Sequence, residues 1–136
     1  MVPVSGGKDG SYVAYNLKYK YGMNPLCVTS TPALPLPLGG QNLRAFVESG
    51  YNHISINPDY EAMRALNKSG IIEMGITYYG WLICIYTAVV CIPTLFGIDL
   101  IFYGEDGEIE YGLKLLTIIE AARISAASDG PVSYTH

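Results

Sequence analysis

Charge is scarce in this sequence: 15% of its 136 residues carry it, and no lysine or arginine falls between Lys68 and Lys114. With eight basic against twelve acidic residues, the formal net charge is -4. That argues against a nucleic-acid module, which normally shows a basic stripe. Histidine is nearly absent, with two copies, and the three cysteines Cys27, Cys84 and Cys91 form no CxxC pair and no histidine-associated cluster. Neither a zinc site nor a disulfide framework is encoded. The odd count reads as reduced, buried thiols in a cytoplasmic protein without a signal peptide. Cys84 and Cys91, seven residues apart, fall on one helix face.

Hydrophobic residues, by contrast, make up 50% of the chain. A substantial core is therefore affordable within a single domain spanning 1–136, and disorder is not expected. One uncharged run, "WLICIYTAVVCIPTLFGI" (residues 81–98), is as long as a membrane span. Pro93 and Gly97 interrupt it, Asp99 follows, and basic anchors are missing from both flanks, so a buried helix leading into a buried strand is expected instead. The surface "YYGWLICIY" reads as core or as a face for self-association into a homo-oligomer.

Apolar periodicity gives the order of elements. A short strand at Val2–Val4 precedes a helix over 11–21, with Val13, Leu17 and Tyr21 in phase and Gly22 as its stop. "PLCVT" is a second strand, and "STPALPLPLGG" a loop rather than regular structure. A short helix carries Leu43, Phe46 and Val47, and "NHISI" is a third strand. Asp59 caps a helix carrying Met63 and Leu66. A longer helix follows over 79–96, then a fourth strand at "DLIFY" and a last helix around Leu115, Ile119 and Ala122. This alternation predicts an α/β fold, a Rossmann-like three-layer sandwich on a mostly parallel sheet of about four to five strands.

"VSGGKDGS" lies between the first strand and the first helix. Three glycines in seven positions exceed what a turn needs. A glycine-rich strand-to-helix turn lets backbone N–H groups converge on an anion at a helix N-terminus, with Ser5, Lys8 and Ser11 as further donors. The loop is not a Walker A motif, since Val2 stands where its earlier glycine belongs and Asp9 where its Ser or Thr belongs. GxGxxG spacing also fails. The competing reading is a helix-capping turn with surplus glycine. His53 opens a strand with nothing nearby to orient it as a base and reads as structural. The acidic run "EDGEIEY" reads either as a solvated turn or as part of a site.

Ser5-Gly6-Gly7-Lys8-Asp9 resembles the SGGxDS loop of the PP-loop ATP pyrophosphatases. Further stretches, "KYGMNPLCVT", "NLRAFVESGYNHI", "ALNKSGIIEMG", "YYGWLI" and "LIFYGEDGEIEYG", are similar to the N-acetyl sugar amidotransferases of surface-polysaccharide biosynthesis. The resemblance implies an ATP-dependent ligase that adenylates the acetamido oxygen of a nucleotide-linked sugar for displacement by ammonia. ATP and Mg2+ would be its cofactors, and ammonia would come from a separate glutaminase subunit. Ser5, Gly6, Gly7, Lys8, Asp9, Gly10 and Ser11 would cradle pyrophosphate. Thr29, Ser30, Tyr103 and Gly104 would complete the nucleotide site, and Lys8, Asp9 and Glu105 would act on the reacting centre. Asp9 would also meet Mg2+, and Glu108, Glu110 and Tyr111 would lie nearby.

The chain departs from that family in three places. Gly10 stands where the motif has serine, the helix around Cys91-Ile92-Pro93 lacks an expected arginine, and the matched region resembles a truncated core. Two other readings share the loop. One is a tRNA-thiolating enzyme with the same activation chemistry, which the acidic balance disfavours. The other is a catalytically impaired nucleotide-binding or assembly subunit.

Overall fold

A computed structural model of the chain describes residues 1–104. The sheet is built from β1 (Val2–Pro3), β2 (Leu26–Ser30) and β3 (Asn52–Ile56), in that lateral order and all parallel. Register runs Val2 to Cys27, Cys27 to His53 and Val28 to Ile54. Among the described residues four α-helices accompany it: α1 (Lys8–Tyr15), α2 (Pro37–Glu48), α3 (Tyr60–Met74) and α4 (Tyr79–Phe96). The protein is thus a mixed α/β fold on a small parallel sheet.

Side chains alternate along a strand, and here the alternation separates two cores. Val2, Val4, Cys27 and Tyr51 pack with Ala14 and Leu17 on one side. Met1 and Val28 pack with Ala88 and Val89 of α4 on the other, joined by Ile54 and Ile56. Burial pushes the Cys27 thiol up to about 11, so it remains a protonated, inert hydrophobe. The expectation of buried thiols holds for Cys27 alone: Cys84 is half-buried and Cys91 exposed, all three free.

The expected helix over 11–21 begins earlier and changes pitch. After Tyr15 it widens into a π-helical turn, Asn16–Lys20, before Gly22 stops the run at φ +64°. The proline-rich loop also ends sooner than its composition suggests. Pro37 occupies the first helical turn of α2, where its missing N–H costs nothing, so Gly39 and Gly40 are helical. Asp59 caps α3 as expected, accepting the Ala62 N–H at 2.9 Å.

Two glycines bring α3 and α4 together. A Cβ on Gly80 would stand 2.9 Å from the Met63 carbonyl oxygen, and one on Gly70 would overlap Tyr79. Helix α4 is long and apolar enough to cross a membrane, with 28% of that window buried in the fold. It buries a stripe, including Leu82, Ala88 and Val89, and leaves Leu95 and Phe96 exposed, so the expected buried helix is buried on one side only.

The expected fourth strand at "DLIFY" is not a regular strand. It makes one rung instead: the Met1 amine donates to the Leu100 carbonyl at 2.7 Å, and the Phe102 N–H donates to the Met1 carbonyl at 3.0 Å. Those two bonds are the pair a parallel ladder makes around one residue. They lie along the edge of β1 that β2 does not use. Successive strands therefore step one way from β1, and the chain then returns to its other side. The expected last helix around Leu115 lies outside the described residues.

Candidate functional site

Loop Ser5–Gly7 joins β1 to α1 at the carboxyl edge of the sheet, beside the side of β1 along which residues 100–102 return. In open α/β sheets, ligands bind outside the carboxyl ends of the strands. Gly7 is the N-cap of α1 in extended conformation (φ -82°, ψ 172°), and no side chain among the described residues caps the helix. The N–H groups of its first turn have no intrahelical acceptors. Ser5, Gly7, Lys8 and Asp9 are exposed.

Gly6 is the residue that the turn requires. Its φ is +82°, and a Cβ there would meet the Gly39 carbonyl oxygen at 2.8 Å and the Leu43 nitrogen at 3.1 Å. The first turns of α1 and α2 thus converge on one loop. Sequence reasoning missed this participation of α2; the signal was Pro37, a residue suited to the start of a helix. A Cβ on Gly40 would have only the Arg44 guanidinium near it, at 3.8 Å, and one on Gly39 would meet nothing.

Gly10 has no such room. A Cβ would stand 2.8 Å from the Pro3 carbonyl oxygen and 3.3 Å from the Val4 Cα. Gly104 presses on the same turn: its Cβ would come within 2.5 Å of the Gly10 nitrogen and 2.6 Å of the Asp9 carbonyl carbon. The end of the returning segment and the first turn of α1 are therefore in backbone contact. Ser11 faces inward along its own helix, its hydroxyl donating to the Gly7 carbonyl at 2.7 Å.

Thr29 and Ser30, expected just past the second strand, are its last two residues, and they behave differently. Thr29 is buried and tied into the sheet: its hydroxyl donates to the Val4 carbonyl at 2.7 Å and lies 2.8 Å from His53 Nε2. With the single hydroxyl proton given to Val4, the His53 contact requires the proton on Nε2. Burial holds His53 below its ordinary value. The Ser30 hydroxyl is buried without a partner among the described residues, while the Ser30 carbonyl accepts from Trp81 Nε1 at 3.1 Å. The Tyr103 hydroxyl is likewise buried and has no partner among the described residues. Desolvation, with the nearby Tyr86 adding to it, pushes Tyr103 up to about 12, so it stays a neutral phenol. Two orphaned hydroxyls are polar capacity that a bound group can satisfy.

No group of three or more metal-ligating side chains occurs among the described residues. Asp9 alone of the loop offers a carboxylate. A single carboxylate is what Mg2+ commonly takes from a protein when phosphates supply the remainder of its shell. Glu105, Glu108, Glu110 and Tyr111 lie outside the described residues. Compared with models of protein families and with curated proteins, the sequence matches none.

Proposed function

We propose that this chain is the nucleotide-binding core of an ATP-dependent amidotransferase on a Rossmann-like three-layer scaffold, as its resemblance to N-acetyl sugar amidotransferases implies. The observation that carries the reading is the Ser5–Gly7 turn, set between β1 and α1 at the carboxyl edge of the sheet and without a side-chain cap among the described residues. Its backbone donors suit a pyrophosphate. Tyr103 and Ser30 supply hydroxyls for the remainder of a nucleotide. An amide oxygen is a poor leaving group, and adenylation converts it into part of AMP, which ammonia can displace. Mg2+, when bound with ATP, would neutralise the charge that Asp9 otherwise opposes. Lys8 would add a mobile positive charge at the same turn.

Isothermal titration with ATP and with AMP tests the reading. Binding of ATP with Mg2+, followed by pyrophosphate release when a nucleotide-linked N-acetyl sugar and ammonia are added, is the expected result. Absence of binding by either nucleotide removes it. A second reading, a nucleotide-binding subunit without turnover, is favoured by the tight packing at Gly10, which leaves no space for the hydroxyl that the motif supplies. Binding without pyrophosphate release would select that reading.

A further inference from the structure

A second feature of the carboxyl rim lies on the side of β3, away from the glycine loop. Thr31 donates its backbone N–H to the Ile56 carbonyl at 2.9 Å and its hydroxyl to Asn57 Oδ1 at 2.8 Å, so the loops after β2 and β3 are tied together. Beyond that tie, residues Ala33 and Leu34 of the first loop face α3 across a groove of about 400 Å³. Tyr60, Arg64 and Lys68 follow at intervals of four on α3 and so share one face of it. Each lines the groove, as does Asn67, and among the described residues no carboxylate does. Asn67 already uses its carbonyl oxygen to accept the Gly80 N–H at 2.8 Å, which leaves its amide as a donor. Leu34, Ile71 and Ile72 supply the apolar part of the lining, and Leu34 is 89% and Ile72 72% exposed.

The geometry points to a site for a small organic anion, an apolar or ring-bearing body carrying a phosphate group. The volume is that of a small-molecule pocket rather than a macromolecular interface. Two cations one turn apart, with no acid in the lining among the described residues, complement a doubly charged phosphate. A guanidinium offers such a group paired hydrogen bonds. Leu34 and Ile72 would cover the apolar part. The inference is independent of the nucleotide reading, since none of the groove's residues belongs to the glycine loop.

Phenyl phosphate combines the two features and serves as the probe, with inorganic phosphate and phenol as its halves. Titrated into the uniformly labelled full chain and followed by amide chemical shifts, it is expected to saturate with a Kd near ~1 mM, about -4 kcal/mol, with shifts clustered on 33–34 and 60–72. Each half alone should bind at least ~10-fold more weakly. The double variant Arg64→Gln/Lys68→Gln should lose at least ~10-fold in affinity while its melting temperature stays put, because both side chains are exposed. Any of four results would overturn the proposal: no saturation, equal binding by either half, an unchanged Kd in the double variant, or shifts confined to 5–11. The last would leave the nucleotide reading supported and this one gone.

Discussion

Gly10 is where the resemblance and the packing disagree, and the disagreement can be measured. Restoring the motif's serine would set a Cβ 2.8 Å from the Pro3 carbonyl oxygen, under a turn that Gly104 also touches. Overpacking of this kind costs about 1–3 kcal/mol, so Gly10→Ser should lower the urea midpoint and should not raise pyrophosphate release. Asp9 is the converse case. It is exposed in the first turn of α1, so Asp9→Ala should leave the melting curve nearly unchanged. Under the amidotransferase reading it should weaken Mg-ATP binding by about 10-fold or more, the worth of a charge-assisted contact of ~1.5–3 kcal/mol; wild-type titration isotherms would reduce the loop to a plain turn. His53 gives a pH signature. Its folded pKa lies below the unfolded value because burial disfavours the cation. The unfolded chain therefore binds more protons as pH falls, and the stability His53 contributes is complete above about 6.5 and declines as acid carries the pH toward the folded pKa. Urea midpoints at pH 7.5 and 5.5 should show that decline, and His53→Gln should flatten it.

Among the elements, α2 tests whether its bare first turn is a matter of stability or of access. Gly40 is helical with only Arg44 near its missing Cβ, at 3.8 Å. Gly40→Ala should therefore stabilise the fold by about 0.5–1 kcal/mol, read as a higher denaturation midpoint. A simultaneous loss of ATP affinity would show that the glycine is kept for close approach of a ligand. Elements of this size were legible where period and punctuation agree. β3 matches the alternation of "NHISI", Asp59 caps α3, and α4 spans the expected run. Legibility failed where a local signal is overridden by position. Proline and glycine in 35–40 argue for a loop by composition, yet Pro37 at the first turn starts a helix. "DLIFY" has strand composition, but its pairing partner near Met1 offers one rung. The candidate site was readable only as a loop between strand and helix. The contacts of Gly6 with α2, and of Gly10 with Gly104, join residues far apart in sequence and leave no local trace.

For the molecule as a whole, the returning segment matters more than its length suggests. Phe102 packs into one core and Tyr103 into the other, so two adjacent residues of this segment serve both faces of the sheet. Phe102→Ala should cost about 2 kcal/mol, less than a full core deletion because the ring is half-buried. Leu100→Ala, at a side chain 57% exposed, should fall within about 0.5 kcal/mol of the parent; equal losses in urea unfolding would mean that the segment is held by its backbone alone.

That rung has a further consequence during synthesis. Met1 and Leu100 stand 99 positions apart, and closing so wide a loop comes late. A ribosome must release almost the entire described region before residues 100–102 can pair beside β1. Until then the nascent chain carries an unshielded strand margin, a surface on which a chaperone or a neighbouring nascent chain competes with the protein's own returning segment.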